Sequence, residues 1–472
     1  MTTPIWGKLS DLFSKKLLVQ LAIIVFVVGS IIAGLSVNVP MLLACRVLQG
    51  LGMGGLMALA QSIIGSIIPP RDRGRYSGYM GATMAVATVS GPLIGGIITD
   101  TSWMGWRFCF YVCVPLAVIS LIVLQRKLHL VTIPRKVTID YAGAILISIT
   151  SSLPLVWVSF AGTAFAWLSW QSAAFVIPTV VLAVILVRVE LTASEPMLPL
   201  SVLANRTTTL AIVASLGVGV ALFGSAVFLG QYFQTARGYT PTHAGLLTFP
   251  LALGSLVAST GAGLIISRFG KWKRFLVIGG VLLTAAMVLM GTVDHHTPIT
   301  HVMIYMGMMG LGMGMMMQNL VLAVQNTVDV TQVGAASAAV SFFRSLGGVV
   351  GVAVLGAVLA RRVSTLVASG LVALGPAGAD AAARMQSGGS SELDFDTLPA
   401  SVATIVRSAY GDATGRIFVI AAAMALISLI SVLFIKEVPL RKTVSKAPAA
   451  SSTGGRTGPF GPLGGVSDSV FP

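Results

Sequence analysis

Two arginines stand inside stretches that otherwise carry no charge: Arg46 in the run 41–68 and Arg344 in the run 334–360. A guanidinium stays charged at physiological pH and carries five N–H donors. Stranding one at the centre of a membrane costs at least about 2.5 kcal/mol, so it is expected to meet water, a partner or a ligand. At 1.5 Å per helical residue, Arg46 lies about 8 Å and Arg344 about 15 Å inside its run. Both are candidates for coupling a proton or a solute to movement, with Gln49 one turn beyond Arg46 adding an amide. Asp100, Asp140 and Glu190 stand only at the ends of apolar runs, so neither arginine has an acid at its own depth.

Three further groups have chemistry in their spacing. The segment Gly7-Lys8-Leu9-Ser10-Asp11-Leu12-Phe13-Ser14-Lys15-Lys16 reads as a short basic loop between two membrane helices, preceded by only six residues. Its gating residues are Gly7, Asp11, Lys15 and Lys16. Gly7 permits a sharp turn and a close neighbour, Asp11 suits a helix N-terminus or an arginine, and the lysines suit lipid headgroups. Together they read as a latch between helix bundles. Gly91, Pro92, Gly95 and Gly96 form a hinge or seal: the proline bends the helix, and Gly91 with Gly95, like Gly50 with Gly54, makes a small-residue packing face. Cavity candidates are Gln231, Tyr232 and Gln234, then Met313, Met317, Gln318 and Asn319 at the end of a methionine-rich run. Methionine re-packs around varied shapes, which suits promiscuous binding, although bundle packing also explains such a run.

The elements that must position these residues are apolar helices. Of the residues, 55% are hydrophobic and only 10% charged, too little charge to cover a soluble protein of this length. The apolar residues come in runs of about 20, the length of a membrane span. Twelve are predicted: 17–37, 41–68, 76–99, 106–124, 139–160, 170–189, 207–233, 243–267, 272–291, 300–323, 334–360 and 415–435. Alternate loops hold 21 basic residues against 7 in the others, which predicts both termini on the cytoplasmic side. The net charge of +15 is thus a topology signal, not a nucleic-acid footprint. The three cysteines, Cys45, Cys109 and Cys113, sit in apolar runs and read as packing. Neither a nucleophile–base set, a metal-ligand cluster nor a phosphate-binding loop appears, so an enzyme and a cofactor are not expected. Residues 1–130 are predicted to form an N-terminal bundle, 131–206 an inserted helix pair and linker, and 207–442 a C-terminal bundle with an outer loop at 361–414. Residues 443–472 read as a disordered tail. The spacing Gly7…Asp11…Phe13…Lys15 returns as Gly263…Ser267…Phe269…Lys271, the mark of two related halves.

Three motifs in this order resemble motifs A, B and C of the major facilitator superfamily: Gly7-x-Leu9-x-Asp11 with Lys15-Lys16, Arg46-x-x-Gln49-Gly50-x-Gly52, and Gly91-Pro92-x-x-Gly95-Gly96. Asp140-Tyr141-Ala142-Gly143 and the segment from Gln325-Asn326 to Gly351-Val352-Ala353 resemble its 14-helix drug/proton antiporter branch. The resemblance covers residue 2 to about 440. It implies an all-α polytopic membrane protein of the major facilitator fold, two helical bundles with an extra helix pair between them, twelve spans being present here. It further implies a monomeric plasma-membrane antiporter that exports lipophilic or cationic compounds in exchange for protons. A dedicated exporter of a lipid, siderophore, peptide or self-made antibiotic, and a non-transporting remnant or regulatory membrane protein, are the alternatives. The family also places an acid in its first helix. The expectation is therefore that the first helix, most of the second and that acid are missing here. Ser267 in place of the acid predicts no second latch.

Overall fold

The computed structural model describes residues 2–101, 104–128, 140–161, 164–193, 196, 203–329, 332–374 and 400–440. The predicted tail 443–472 lies outside them, as do 375–399 of the predicted outer loop and 131–139, 162–163, 194–195 and 197–202 of the predicted helix pair and linker. Twelve helices among the described residues are long and apolar enough to cross a membrane. The protein is an all-α polytopic membrane protein.

In chain order the helices are α1 (Thr3–Leu12), α2 (Lys15–Gly34), α3 (Val39–Ile67), α4 (Pro70–Asp100), α5 (Phe108–Tyr111), α6 (Cys113–Lys127), α7 (Tyr141–Phe160) and α8 (Trp170–Thr192). They continue as α9 (Arg206–Gln231), α10 (Pro241–Leu247), α11 (Phe249–Phe269), α12 (Lys273–Met290), α13 (Ile299–Thr327), α14 (Val333–Ala373) and α15 (Ala400–Phe434). Their starts follow capping chemistry. The side chains of Asn38, Asp140, Ser169 and Asn205 each accept a backbone N–H in the first turn of α3, α7, α8 and α9. The segment Gly7–Lys16 is not the predicted loop. Leu9, Leu12 and Lys8 favour helix, Ser10 bonds back to the Gly7 carbonyl at 2.6 Å, and only Phe13 and Ser14 separate α1 from α2.

α1 to α3 pack on one another, with α5 and α6 against α2. α9 and α11 to α15 form a larger group around α13, the most buried span, and α7 pairs with α8 and touches α14. The first group and α4, which follows α3 in the chain, meet the second along α1 and α3 against α14, and along α4 against α11 and α13. Asp11, Arg71, Arg268 and Lys273 mark one end of the molecule, called here the basic end. Arg237, His295 and Asp412 mark the opposite end.

α14 and α15 overrun their predicted spans, so much of the predicted outer loop 361–414 is helix. Alanine and leucine in these stretches favour helix, and the apolar faces of the two helices find each other. Leu371, Val402 and Val406 are buried together with Val367, Leu374 and Tyr410 beside them. Val402 is 2% exposed. Val402→Asp strands a carboxylate there, so amide exchange in 364–373 and 400–410 should quicken by at least about tenfold. Hydrogen-exchange mass spectrometry checks this; protection unchanged in both segments would contradict the packing.

Candidate functional site

The two groups of helices meet at the basic end in two seams. In the first, the C-terminal end of α1 faces the start of α14. Asp11 Oδ2 accepts the Ala335 N–H at 2.9 Å and Oδ1 the Gly334 N–H at 3.1 Å. A carboxylate placed on free helix N–H groups is a charge-assisted cap supplied from the other half of the chain. Gly7 lets the helices touch, because a Cβ there would fall on the Ala338 Cβ and on the Gly334 carbonyl oxygen. Burial pushes the Asp11 carboxyl up to about 7; the Ala335 and Gly334 N–H groups and the Lys15 and Lys8 charges hold it from going higher.

The second seam sets the end of α11 against the start of α4. The Arg71 guanidinium donates to the Ser267 carbonyl at 3.4 Å and the Arg268 carbonyl at 3.3 Å. A cation on the last carbonyls of a helix is the mirror image of a carboxylate on its first N–H groups. The absence of an acid at Ser267 therefore does not remove the second contact, as the sequence suggested. The backbone of α11 takes the acceptor's part. Gly74 and Gly263 sit back to back: a Cβ on Gly74 would lie 2.8 Å from the Gly263 carbonyl oxygen, and a Cβ on Gly263 would fall on that of Gly74.

Polar side chains continue inward between the seams. Ser10 hydrogen-bonds Ser62 at 2.7 Å. Gln325 donates to the Ser337 hydroxyl at 2.8 Å and the Gln61 carbonyl at 3.3 Å. The Ser341 hydroxyl donates to Gln61 Oε1 at 3.0 Å. Arg344 then reaches Ser341 Oγ at 3.5 Å and the Met317 carbonyl at 3.3 Å. Arg73 caps the end of α3, donating to the Ile68 carbonyl at 2.7 Å and to that of Gly65, and turns Nη1 to Gln325 Oε1 at 3.5 Å. In sequence Arg73 is one of the basic residues that flank the apolar runs. The sign that could have found it is the alternation Arg71-x-Arg73-x-Arg75 at a helix start, where the three cannot share one face.

Arg46 stands elsewhere. Its guanidinium lies 4.7 Å from the Phe110 ring centroid and 3.5 Å from Gln49 Oε1, and Gln49 donates to Ser30 at 2.7 Å. Arg46 and Arg344 are not brought together. Lys16 caps the end of α6 through the Gln125 carbonyl at 2.9 Å.

The glycine faces differ from expectation. Gly50, Gly91 and Gly95 have nothing within 4 Å of where a Cβ would sit, while Gly96 meets Thr242 at 3.1 Å. The tight packing of α4 uses its basic half instead, where Gly74, Gly78 and Gly81 line up against Ser259 and Gly263. α4 runs unbroken through position 92; the side chain of Pro92 lies outside the described atoms.

The cavity candidates also separate. Gln231 and Gln234 line a space of about 410 Å³ at the opposite end. Tyr232 turns away from it in the π-helical turn Tyr232–Ala236, bonded to Arg237 at 2.9 Å and to the Asp294 carbonyl at 3.1 Å. On that loop the Thr297 hydroxyl holds the Asp294 carboxyl below its usual range. Met313, Met317, Gln318 and Asn319 are all buried in α13, and Asn319 is taken up by the Met315 carbonyl at 2.7 Å.

The Major Facilitator Superfamily model matches residues 1–352. The chain belongs to that family. It is 35% identical over 438 residues to the uncharacterized MFS-type transporter MT1926 of Mycobacterium tuberculosis (strain CDC 1551 / Oshkosh), covering 92% of this chain and 62% of that one. Against the multidrug transporter protein MdtP of Bacillus subtilis (strain 168) it is 30% identical over 369 residues, covering 78% and 68%. The chain thus spans under two thirds of the mycobacterial relative's length. The crystal structure of the human organic anion transporter MFSD10 shares the fold, with a TM-score of 0.54 at 12% identity, covering 90% of this chain and 80% of that one. The family is one of transporters, not enzymes.

Proposed function

We propose that this chain exports lipophilic small molecules across the plasma membrane in exchange for protons, as a member of the 14-helix drug/proton antiporter branch. The basic end lies in the cytoplasm, in keeping with the excess of basic residues there. The observation that carries the reading is the paired seam: each joins one helix end to a helix start of the other half, through side chains and close backbones that can part without unfolding either half. Such breakable contacts on one side of a fixed site are what alternating access requires. The resemblance to MdtP, a multidrug transporter, supports a drug-like cargo. Arg46 with Gln49, and Arg344, are the proposed coupling residues, and Gly7, Asp11, Lys15 and Lys16 the proposed gate.

The test is accumulation of lipophilic fluorophores in cells that lack their main efflux pumps, with and without the expressed chain. Expression should lower the accumulation of at least one fluorophore, and a protonophore should restore it. Efflux that survives collapse of the proton gradient would remove the antiport reading.

A further inference from the structure

We propose that Arg344, Gln318 and Gln61 bind the carboxylate of an amphipathic organic anion, so that the exported cargo is a lipophilic acid in its ionised form. The inference rests on the export reading and gives its cargo a charge. A lipophilic anion would then stand in place of the lipophilic or cationic compound expected from the sequence.

The cluster holds more donors than acceptors. Arg344 is 4% exposed, and its two hydrogen bonds go to neutral oxygens at 3.3 and 3.5 Å, both long. The acids within the candidate spans are Asp72, Glu190 and Asp412. Asp72 and Glu190 lie within a turn of a span end, and Asp412 meets His295 at 2.8 Å at the opposite end, so none balances Arg344. Gln61 Nε2 and Gln318 Nε2 are also buried without an acceptor. Gln61 is 3% and Gln318 4% exposed. Gln61 is tied to Arg344 through Ser341, and Gln318 follows Met317, whose carbonyl Arg344 holds. A buried cation with two idle amide donors lacks one thing, an anionic acceptor.

The position suits a transported ligand. Gln61 comes from α3, Gln318 from α13 and Arg344 from α14, and a Cβ on Gly81 of α4 would sit 3.7 Å from Gln318 Cγ. Both halves therefore contribute, and the cluster lies inward of the seams, where alternating access puts its site. One guanidinium fits one monoanion. Arg73, the next cation, is bonded to the carbonyls that end α3. A carboxylate matches the two-pronged guanidinium. Met313 and Met317, on the same helix, offer polarisable surface to the apolar body.

The experiment uses the full chain in detergent and three fluorescent probes that share one ring system: 1-pyrenebutyrate, 1-pyrenebutanol and 1-pyrenebutylamine. Energy transfer from the tryptophans reads binding. Pyrenebutyrate should bind at least about tenfold more tightly than either analogue. Arg344→Gln should weaken pyrenebutyrate by about thirtyfold and pyrenebutanol by less than about twofold. Gln318→Leu, which keeps shape and removes the idle donor, should weaken only the acid, by about fivefold. It serves as the test if Arg344→Gln does not yield folded protein. Preference for the amine overturns the proposal, as does an acid preference unaltered in the variants. Reconstituted vesicles separate this from the export reading. If the acid binds through Arg344 but is never moved, export falls and the site stands. If the amine is bound and moved, export stands and the site falls.

Discussion

Gly263→Leu is expected to lower transport by about tenfold to a hundredfold while leaving the protein folded. The seam between α4 and α11 has backbone on both sides at this point: any Cβ on Gly263 meets the Gly74 carbonyl, and one on Gly74 meets that of Gly263. A flexible side chain could swing aside, but a carbonyl held in a helix cannot. The helices must move apart, and forcing extra atoms into a packed contact costs about 1–3 kcal/mol. Each 1.4 kcal/mol is a factor of ten, so the closed form falls by up to about two powers of ten. α11 keeps its packing on α13, and α4 its contact with α10, so the loss belongs to closure and not to folding. The measurement is labelling of Thr260→Cys by a membrane-impermeant maleimide from the basic side, together with uptake by inverted vesicles. Labelling should quicken as uptake falls. Labelling unchanged, with transport intact, would mean that the seam stays open throughout the cycle. Gly261→Leu, one face round where a Cβ meets nothing within 4 Å, is the control and should do neither.

The helices were legible because the membrane makes them so. A run of about 20 apolar residues has one stable form in lipid, and the sequence places such runs within a few residues of the observed ones. The misplacement in α14 and α15 came where the chain leaves that regime. Beyond residue 360 the arginines and small residues end the apolar signal, yet the backbone continues as helix because α14 and α15 pack on each other. The site was legible only in kind. Asp11 was readable as a group for a helix start or an arginine, but its partner is 323 residues away in sequence, and no local pattern names Gly334. Arg73 shows the reverse. Three arginines in a row of alternate positions look alike in sequence, and only the fold buries the middle one to 2% exposure. Gly91 with Gly95 and Gly74 with Gly78 have the same four-residue spacing in sequence. What decides packing is which glycines face a neighbour, and that is a property of helix placement.

Acidifying the medium from pH 7.5 to pH 5 is expected to close the first seam, and Asp11→Asn to abolish that response. The sign follows from where Asp11 binds its proton. In the closed seam its carboxyl titrates at about 7, against 3.8 for the free side chain. When α1 and α14 part, water reaches the carboxylate and its pKa returns toward the free value. Closing therefore takes up a proton throughout the window from about 4 to 7 and is opposed as pH rises through it. Above about 7 both forms are ionised and the response levels off. Two N–H donors favour the ionised group, but desolvation outweighs them, so the latch holds best with the proton on. Spin labels on Phe13→Cys and Asp329→Cys, exposed positions on either side of the seam, report the closed fraction by dipolar spectroscopy. The short-distance population should grow toward pH 5 in the parent chain. In Asp11→Asn, which keeps a neutral acceptor for the α14 start, it should stay level. Asp11→Ala removes the acceptor altogether and should leave the seam mostly open at every pH, by about tenfold for two lost bonds. A short-distance population that grows with rising pH, or an equal slope in Asp11→Asn, would place the proton elsewhere. The response would then belong to a group that Asp11 does not control, and the gate would be mechanical and not titratable.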